Sequence, residues 1–369
     1  MKIAVDLRSL QSGTVSGVEN YTINLLGNLL ALDRTNEYIL FYNSLGKTIL
    51  PDFHYVNSKV RLTRYPNKLL NFALKLGAVK LERLMGEFDW LFMPNLNQFS
   101  ISPGAKLAIT VHDLSPIVSP EYYNFRRKLW HKFLNYQKAF KRANILFAVS
   151  EHTKQDLIRV FNLPPEKIKV IYPGIDSGLF HPSISADKLR HVRNIYGLPG
   201  QYVLFLNTIE PRKNLAGAVK AFEKIDGPEF LIIAGRQGWK WRGDFKLVRQ
   251  SKKSAKIKYI GYIEETDKPA LIKMAKVLIY PSFYEGFGFQ PLEAMALGTP
   301  VVASAVSSQP EVIAEAGLLI NPHNPASLAD GLNLALNNNN LRVKLIAKGL
   351  ARAEQFSWEV SARQIVSCF

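Results

Sequence analysis

Short, uniformly apolar runs alternate along this chain with longer stretches of helical periodicity, and that alternation restricts the fold more than any other feature. Ile3–Leu7, Tyr38–Tyr42, Trp90–Met93, Ala108–Val111, Ile145–Val149 and Lys169–Tyr172 form one series of strand candidates. Tyr202–Leu206, Phe230–Ala234, Ile257–Ile260, Val277–Tyr280, Val301–Ala303 and Gly317–Ile320 form a second. Helical patterns fill several gaps, at Ser16–Leu32, Thr153–Phe161, Leu215–Lys224 and Pro291–Leu297. A strand covered on both faces is apolar throughout, and helices between such strands wind them into parallel sheets. The expected class is α/β, with two doubly wound parallel-sheet domains facing a cleft.

The rhythm pauses between Tyr172 and Tyr202, where Pro173-Gly174-Ile175-Asp176 and Leu198-Pro199-Gly200 supply turn chemistry. A chain of 369 residues also exceeds what one core sustains, about 250–300 residues. We expect a first domain over residues 1–180 and a second over 181–355. A closing helix over 356–369 is expected to pack back on the first. Ligands of such sheets sit beyond the carboxyl ends of the strands.

One cysteine, Cys368, allows neither a disulfide framework nor a cysteine-based zinc site, which fits a reducing compartment. Met1-Lys2-Ile3-Ala4-Val5-Asp6 enters a strand directly, without the pattern of a signal peptide, and no run of eighteen apolar residues occurs. The expectation is a cytoplasmic protein. Its net charge of +17 concerns partners rather than fold.

The chemistry concentrates at strand ends. Pro281 to Pro300 reads as a strand end, a glycine loop (Gly286-Phe287-Gly288-Phe289-Gln290) and a helix with Pro291 first and Gly298 just past its end. Glycines let backbone N–H groups approach a ligand, and a helix N-terminus suits phosphate. Glu285, before the loop, and Glu293, in the first helical turn, could share a pocket. They read also as a solvated loop residue and a first-turn carboxylate. Glu210-Pro211-Arg212-Lys213-Asn214 follows the first strand of the second series. Two adjacent cations there suit a leaving diphosphate, although such a pair is often plain surface. Gly13-Thr14-Val15-Ser16-Gly17 opens the first helix, and Val111-His112-Asp113-Leu114 ends a strand.

Together these segments resemble glycosyltransferase family 4. The paired glutamates of EGFGFQPLE, the following AMALGTPVVAS, the EPRKN run, the His-Asp pair and the N-terminal glycine loop occur in the family's order over nearly the whole chain. The resemblance implies the twin-Rossmann GT-B fold and transfer with retention of anomeric configuration. It implies that Glu285 meets donor-sugar hydroxyls and that Glu293 holds the ribose. Backbone at Phe287, Gly288 and Phe289 would line the sugar and diphosphate, and Arg212 and Lys213 the diphosphate. Gly17 would approach the diphosphate and the acceptor. His112 would contact the donor sugar near the reacting centre, and Asp113 the acceptor. Gly235, Tyr262 and Ile263 would lie on the nucleobase side. Gln290 stands where the family often has proline, and Asn207 where it often has glycine. The same resemblance favours bacterial mannosyltransferases of polysaccharide assembly, hence a GDP-mannose donor ahead of UDP-glucose, and a glycan or lipid-linked acceptor.

No Asp-x-Asp occurs, and with two cations at the diphosphate no metal or other cofactor is expected. The positive charge is spread evenly over the halves but clusters at Lys59–Arg83, with Glu82 the one acid, and at Arg126–Arg142, with none. Basic residues interleaved with Leu69, Phe72, Trp130 and Phe133 on helices suit an anionic membrane surface, or a solvated face on a core helix. Two readings compete with a transferase: a nucleic-acid-binding protein and a nucleotide-sugar epimerase. The first lacks a recognisable module and leaves the paired glutamates unexplained, so no nucleic-acid partner is expected.

Overall fold

The structure, a computed structural model, describes residues 1–12, 17–46 and 53–369. The first sheet contains β1 (Lys2–Asp6), β2 (Glu37–Asn43), β3 (Ser58–Thr63), β4 (Trp90–Met93), β5 (Lys106–Val111), β6 (Ile145–Ala148) and β7 (Ile168–Val170). Its spatial order is β3-β2-β1-β4-β5-β6-β7. The second contains β8 (Tyr202–Leu206), β9 (Phe230–Ala234), β10 (Ile257–Gly261), β11 (Val277–Tyr280), β12 (Val301–Ser304) and β13 (Leu318–Ile320), ordered β10-β9-β8-β11-β12-β13. The ladders are parallel, for example Val203 beside Val277 and Leu204 beside Leu278. Both sheets are doubly wound, as their apolar strands require: β4, β6, β8, β11 and β12 are buried along their whole length.

Two compact units result. The first comprises Met1–Leu114, Arg126–Gly174 and Ser357–Phe369, the second Ser115–Phe125 and Ile175–Phe356. In the second unit Val203, Phe205, Ile233, Val277 and Ile279 meet Leu215 and Phe222 of the helix Leu215–Phe222 and Leu328 and Leu332 of the helix Pro325–Asn337. Ser115–Phe125 is held there by side chains distant in sequence. The Trp239 indole N–H donates to the Tyr122 carbonyl at 2.5 Å, and the Tyr122 ring stacks on Phe283 at 5.6 Å. In the first unit the helix Trp358–Val366 packs on the helix Gly17–Leu32, with Trp358 against Tyr21 at 5.5 Å.

The structure corrects three sequence expectations. Lys59 and Arg61 lie on β3, not on a helix. This edge strand has four exposed residues, so no apolar run marks it, and charge protects its open edge. The pause between Tyr172 and Tyr202 holds a helix, Ala186–Tyr196, which buries only Val192 and therefore lacks an apolar stripe. The helix expected from Pro291 begins at Phe289, because Gly288, at φ +96°, turns the chain directly into it. Pro291 is then third in the helix, where a missing N–H is still harmless, and Glu293 falls beyond the first turn. Among the described residues no helix is long and apolar enough to cross a membrane.

Candidate active site

The winding order of the second sheet chooses where its ligand-facing loops meet. From β8 the chain passes to β9 on one side, while β11 takes the other, so strand order reverses between β8 and β11. The segments leaving these two strands carry Arg212-Lys213 and Glu285. They meet there. Glu285 Oε2 accepts from Arg212 Nη1 at 2.9 Å, and its Oε1 from Lys213 Nζ at 2.6 Å. Glu210, from the same turn as the cations, lies 3.1 Å from Arg212 Nη2. Arg212 also donates to the Tyr284 carbonyl at 2.5 Å, and the Phe283 N–H returns to the Arg212 carbonyl at 2.9 Å. All four charged groups are buried. Burial alone would raise the Glu285 carboxyl, but the charges of Lys213 and Arg212 outweigh it and hold the pKa at about 2. Lys213 is lowered by burial and by Arg212, against the pull of Glu285 and Glu210.

The glycine loop is pinned by the segment after β12. Ser307 Oγ accepts from the Glu285 N–H at 2.9 Å. Ser308 Oγ donates to the Glu285 and Phe287 carbonyls at 3.0 and 2.9 Å, and Gln309 Nε2 to Phe287 O at 2.8 Å. Only glycine fits at 288: beyond its positive φ, a Cβ would lie 2.4 Å from Gln309 Nε2. Phe287 and Phe289 meet edge to face at 5.3 Å. Glu293, four residues into the helix, has a different partner from Glu285. Its Oε1 accepts from Lys268 Nζ at 2.7 Å, while its Oε2 is buried with no hydrogen-bond partner among the described residues.

The residues expected on the nucleobase side follow the adjacent strands β9 and β10. The Gly235 N–H donates to Gly261 O at 2.7 Å, and the Asn207 N–H to Ala234 O at 3.0 Å. Gly235, at φ +129°, admits no side chain, since a Cβ would fall 1.9 Å from Asn207 O. Tyr262 lies under the Arg236 guanidinium at 4.1 Å, and Ile263 is buried.

In the first unit, His112 and Asp113 directly follow β5. His112 Nε2 lies 2.8 Å from Pro94 O, just past β4, and its ring meets Tyr21 edge-on at 4.7 Å. A carbonyl can only accept, so Nε2 carries the proton and Nδ1 of the neutral ring is an acceptor. Burial lowers the His112 pKa, opposed by the Pro94 hydrogen bond and by Asp113. Gly17 is exposed at the first position of its helix, and residues 13–16 of its loop lie outside the described residues.

Of the residues singled out from sequence, the structure brings Glu285, Arg212 and Lys213 together and buries Glu293 on a separate partner, Lys268. Lys268 itself was not among them, having no spacing signal that links it to Glu293, nor was the Ser307-Ser308-Gln309 clasp, whose residue types are those of any polar turn. Among the described residues no group of three or more His, Cys, Asp or Glu is arranged to hold a metal ion.

Two family models match in series: Glycosyltransferase Family 4 over residues 15–179 and Glycosyl transferases group 1 over residues 192–352. The chain is 34% identical over 266 residues to O-antigen chain mannosyltransferase B of Escherichia coli, covering 70% of this chain and 69% of that one. It is 27% identical to serotype-specific mannosyltransferase WbdA of the same organism over 72% of this chain, but spans only 33% of that longer protein. Among solved structures, Anabaena Alr3699/HepE, in complex with UDP and glucose, superposes with a TM-score of 0.76 at 21% identity, covering 100% of this chain and 99% of that one. WaaG, a glycosyltransferase involved in lipopolysaccharide biosynthesis, gives 0.73 at 17%, covering 99% of each. With these models matched in order along two doubly wound sheets, the chain belongs to glycosyltransferase family 4 and is a transferase of the GT-B fold.

Proposed function

We propose that the enzyme moves a mannosyl group, with retention, from GDP-mannose to a glycan or lipid-linked acceptor of polysaccharide assembly. The observation carrying the donor site is the buried ion cluster of Arg212 and Lys213 on Glu285 at the reversal point of the second sheet. As the bond from the anomeric carbon to the diphosphate oxygen breaks, its electron pair stays with the diphosphate. The charge that builds there meets a guanidinium fork and an ammonium already in place, which favours the transition state over the ground state. Diphosphate oxygens competing for these cations release Glu285 oxygens to accept from sugar hydroxyls. Glu293 accepts from the ribose, and the β9 and β10 ends, with Gly235, Tyr262 and Ile263, receive the base. His112 offers Nδ1 to a donor-sugar hydroxyl, Asp113 serves the acceptor, and the backbone at Gly17 and at Phe287, Gly288 and Phe289 approaches the diphosphate. The two cations take the charge-neutralising part that a metal plays elsewhere, so turnover is expected to be metal-independent.

Mannose is favoured because the mannosyltransferase relative is similar over more than two thirds of both chains; UDP-glucose is the second candidate. Calorimetry with GDP-mannose, UDP-glucose and UDP-N-acetylglucosamine, repeated in EDTA, tests the reading. GDP-mannose should bind tightest, with transfer unaffected by EDTA. Tighter binding of a UDP-sugar would overturn the donor, and activity lost to EDTA and restored by magnesium or manganese would overturn metal independence.

A cytoplasmic, peripheral attachment to an anionic membrane surface is proposed as well. The two basic clusters adjoin in the first unit: Lys75, on the helix Asn67–Lys75, lies 3.8 Å over the Phe133 ring and donates to Phe133 O at 3.2 Å.

A further inference from the structure

We infer that Lys268 is a positioning residue of the nucleotide site: bonded to Glu293 Oε1, it fixes the carboxylate so that Oε2 remains the acceptor presented to the ribose. This rests on the nucleotide reading of Glu293 given above. Lys268 Nζ lies 2.7 Å from Glu293 Oε1, and the residues are 8% and 2% exposed. The other carboxylate oxygen, Oε2, is buried with no hydrogen-bond partner among the described residues. An oxygen in that state carries an uncompensated desolvation cost, which a ribose hydroxyl donating to it would relieve. One oxygen is therefore committed and the other held ready.

The ammonium is itself tightly placed. Lys268 opens the helix Lys268–Lys273 and is followed by Pro269, which fixes the backbone of that turn. Its charge lies 5.4 Å over the Phe180 ring. Its second ion pair, with Glu265 Oε2, is longer at 3.6 Å, and Glu265 is partly solvated. Among the described residues Glu293 is thus its one close, buried acidic partner.

The groups facing Glu293 are Lys268, Glu265 from the turn before that helix, and the Tyr280 phenol at the end of β11, bonded in turn to Gln290 at 3.2 Å. Burial raises the Glu293 pKa, Lys268 opposes the rise, and Glu265 adds to it. Burial would lower Lys268, but Glu293 and Glu265 more than reverse this, so it keeps its charge. Removing the ammonium leaves burial and Glu265 unopposed, and Glu293 then takes up a proton at higher pH. The ribose loses part of its acceptor at neutral pH and regains it as the pH rises.

The test is calorimetric titration of the full chain with GDP and with UDP between pH 6 and pH 9. The variants are Lys268→Gln, Lys268→Arg, Glu293→Gln and the double Lys268→Gln/Glu293→Gln. Each unit by which the displaced Glu293 pKa stands above the pH costs about ten-fold in affinity, so Lys268→Gln should bind about ten-fold more weakly near pH 7 and recover toward pH 9. Lys268→Arg should stay close to wild type. Glu293→Gln should be weak at every pH, and the double variant no weaker than Glu293→Gln. The double variant keeps no buried charge at this position, so it remains informative if Lys268→Gln, with a lone buried carboxylate, does not fold. Wild-type affinity in Lys268→Gln at every pH overturns the inference. So does a pH-independent loss that adds to that of Glu293→Gln. A wild-type chain that binds neither GDP nor UDP overturns instead the nucleotide reading beneath it.

Discussion

Glu285 shares one carboxylate between two cations, and that sharing limits what it can do. With Lys213 and Arg212 holding its pKa at about 2, it is ionised at neutral pH in the ligand-free site. It can accept hydrogen bonds and hold Arg212 and Lys213 in register until a diphosphate competes for them. The sign for stability follows. The folded pKa lies below the ordinary 4.5, so the contribution of Glu285 is complete above that value. It is lost as the pH falls from there toward 2. If the pair serves the leaving diphosphate as proposed, replacing Arg212 or Lys213 by Ala removes charge that matters most as the leaving group develops. We expect kcat to fall by about 100-fold for either variant, of the size seen on removing one transition-state donor, with a smaller change in KM. Steady-state kinetics on the donor check this. A rise in KM at unchanged kcat would mean that the pair only binds the ground state.

At the scale of elements, the closing helix depends on a single glycine. A Cβ on Gly174 would lie 2.1 Å from the Trp358 N and 2.5 Å from the Ser357 carbonyl carbon, both backbone atoms that no rotamer change can move. Beside it, Ser361 Oγ donates to the Tyr172 carbonyl at 2.6 Å. Gly174→Ala should therefore destabilise by about 1–3 kcal/mol, the cost of overpacking, lowering the denaturant midpoint. Gly243→Ala is the control. It sits within the helix Trp241–Gln250 with nothing inside 4 Å of the added Cβ, and should be neutral or stabilising. Such close approaches are not legible in a sequence, where Pro173-Gly174 reads simply as a turn. What was legible follows from burial on both faces: strands such as Trp90–Met93 and Val277–Tyr280 appear with the bounds their apolar runs give. What was hidden is half-exposed or tertiary. Edge strand β3 and the helix Ala186–Tyr196 bury too little to leave a pattern. Arg212, Lys213 and Glu285 stand out by residue type and by motif, but only the strand order brings them together. Lys268 acquires its place because one helix lies across another, 25 residues on.

Across the whole molecule, a net charge of +17 includes two basic clusters, Lys59–Arg83 and Arg126–Arg142, that both lie in the first unit. On the helix Asn67–Lys75, Leu70 and Leu74 face the core while Leu69 and Phe72 remain exposed beside Lys68, and Leu76 follows at the C-terminal end. The helix Phe125–Leu134 buries only Leu134 and, within the first unit, exposes Leu129 and Trp130 among Arg126, Lys128 and Lys132. Lys75 over Phe133 joins the two clusters. A folded surface with apolar side chains ringed by cations suits the boundary of an anionic leaflet, each cation near the surface contributing about 1 kcal/mol. The attraction is screened over about 10 Å at 0.1 M salt, so attachment should be strong at low salt and reversed at high salt. Co-sedimentation with vesicles of anionic and of neutral lipid, at both salt levels, measures it. Lys68→Gln in one cluster and Arg126→Gln with Lys128→Gln in the other should each weaken sedimentation with anionic vesicles, and Phe72→Ser should weaken what remains at high salt. Lys75 is left intact because it packs against Phe133. Equal sedimentation with both lipids, or none with either, would return these side chains to a solvated face and leave the family assignment untouched, since that rests on the matched family models and the strand order.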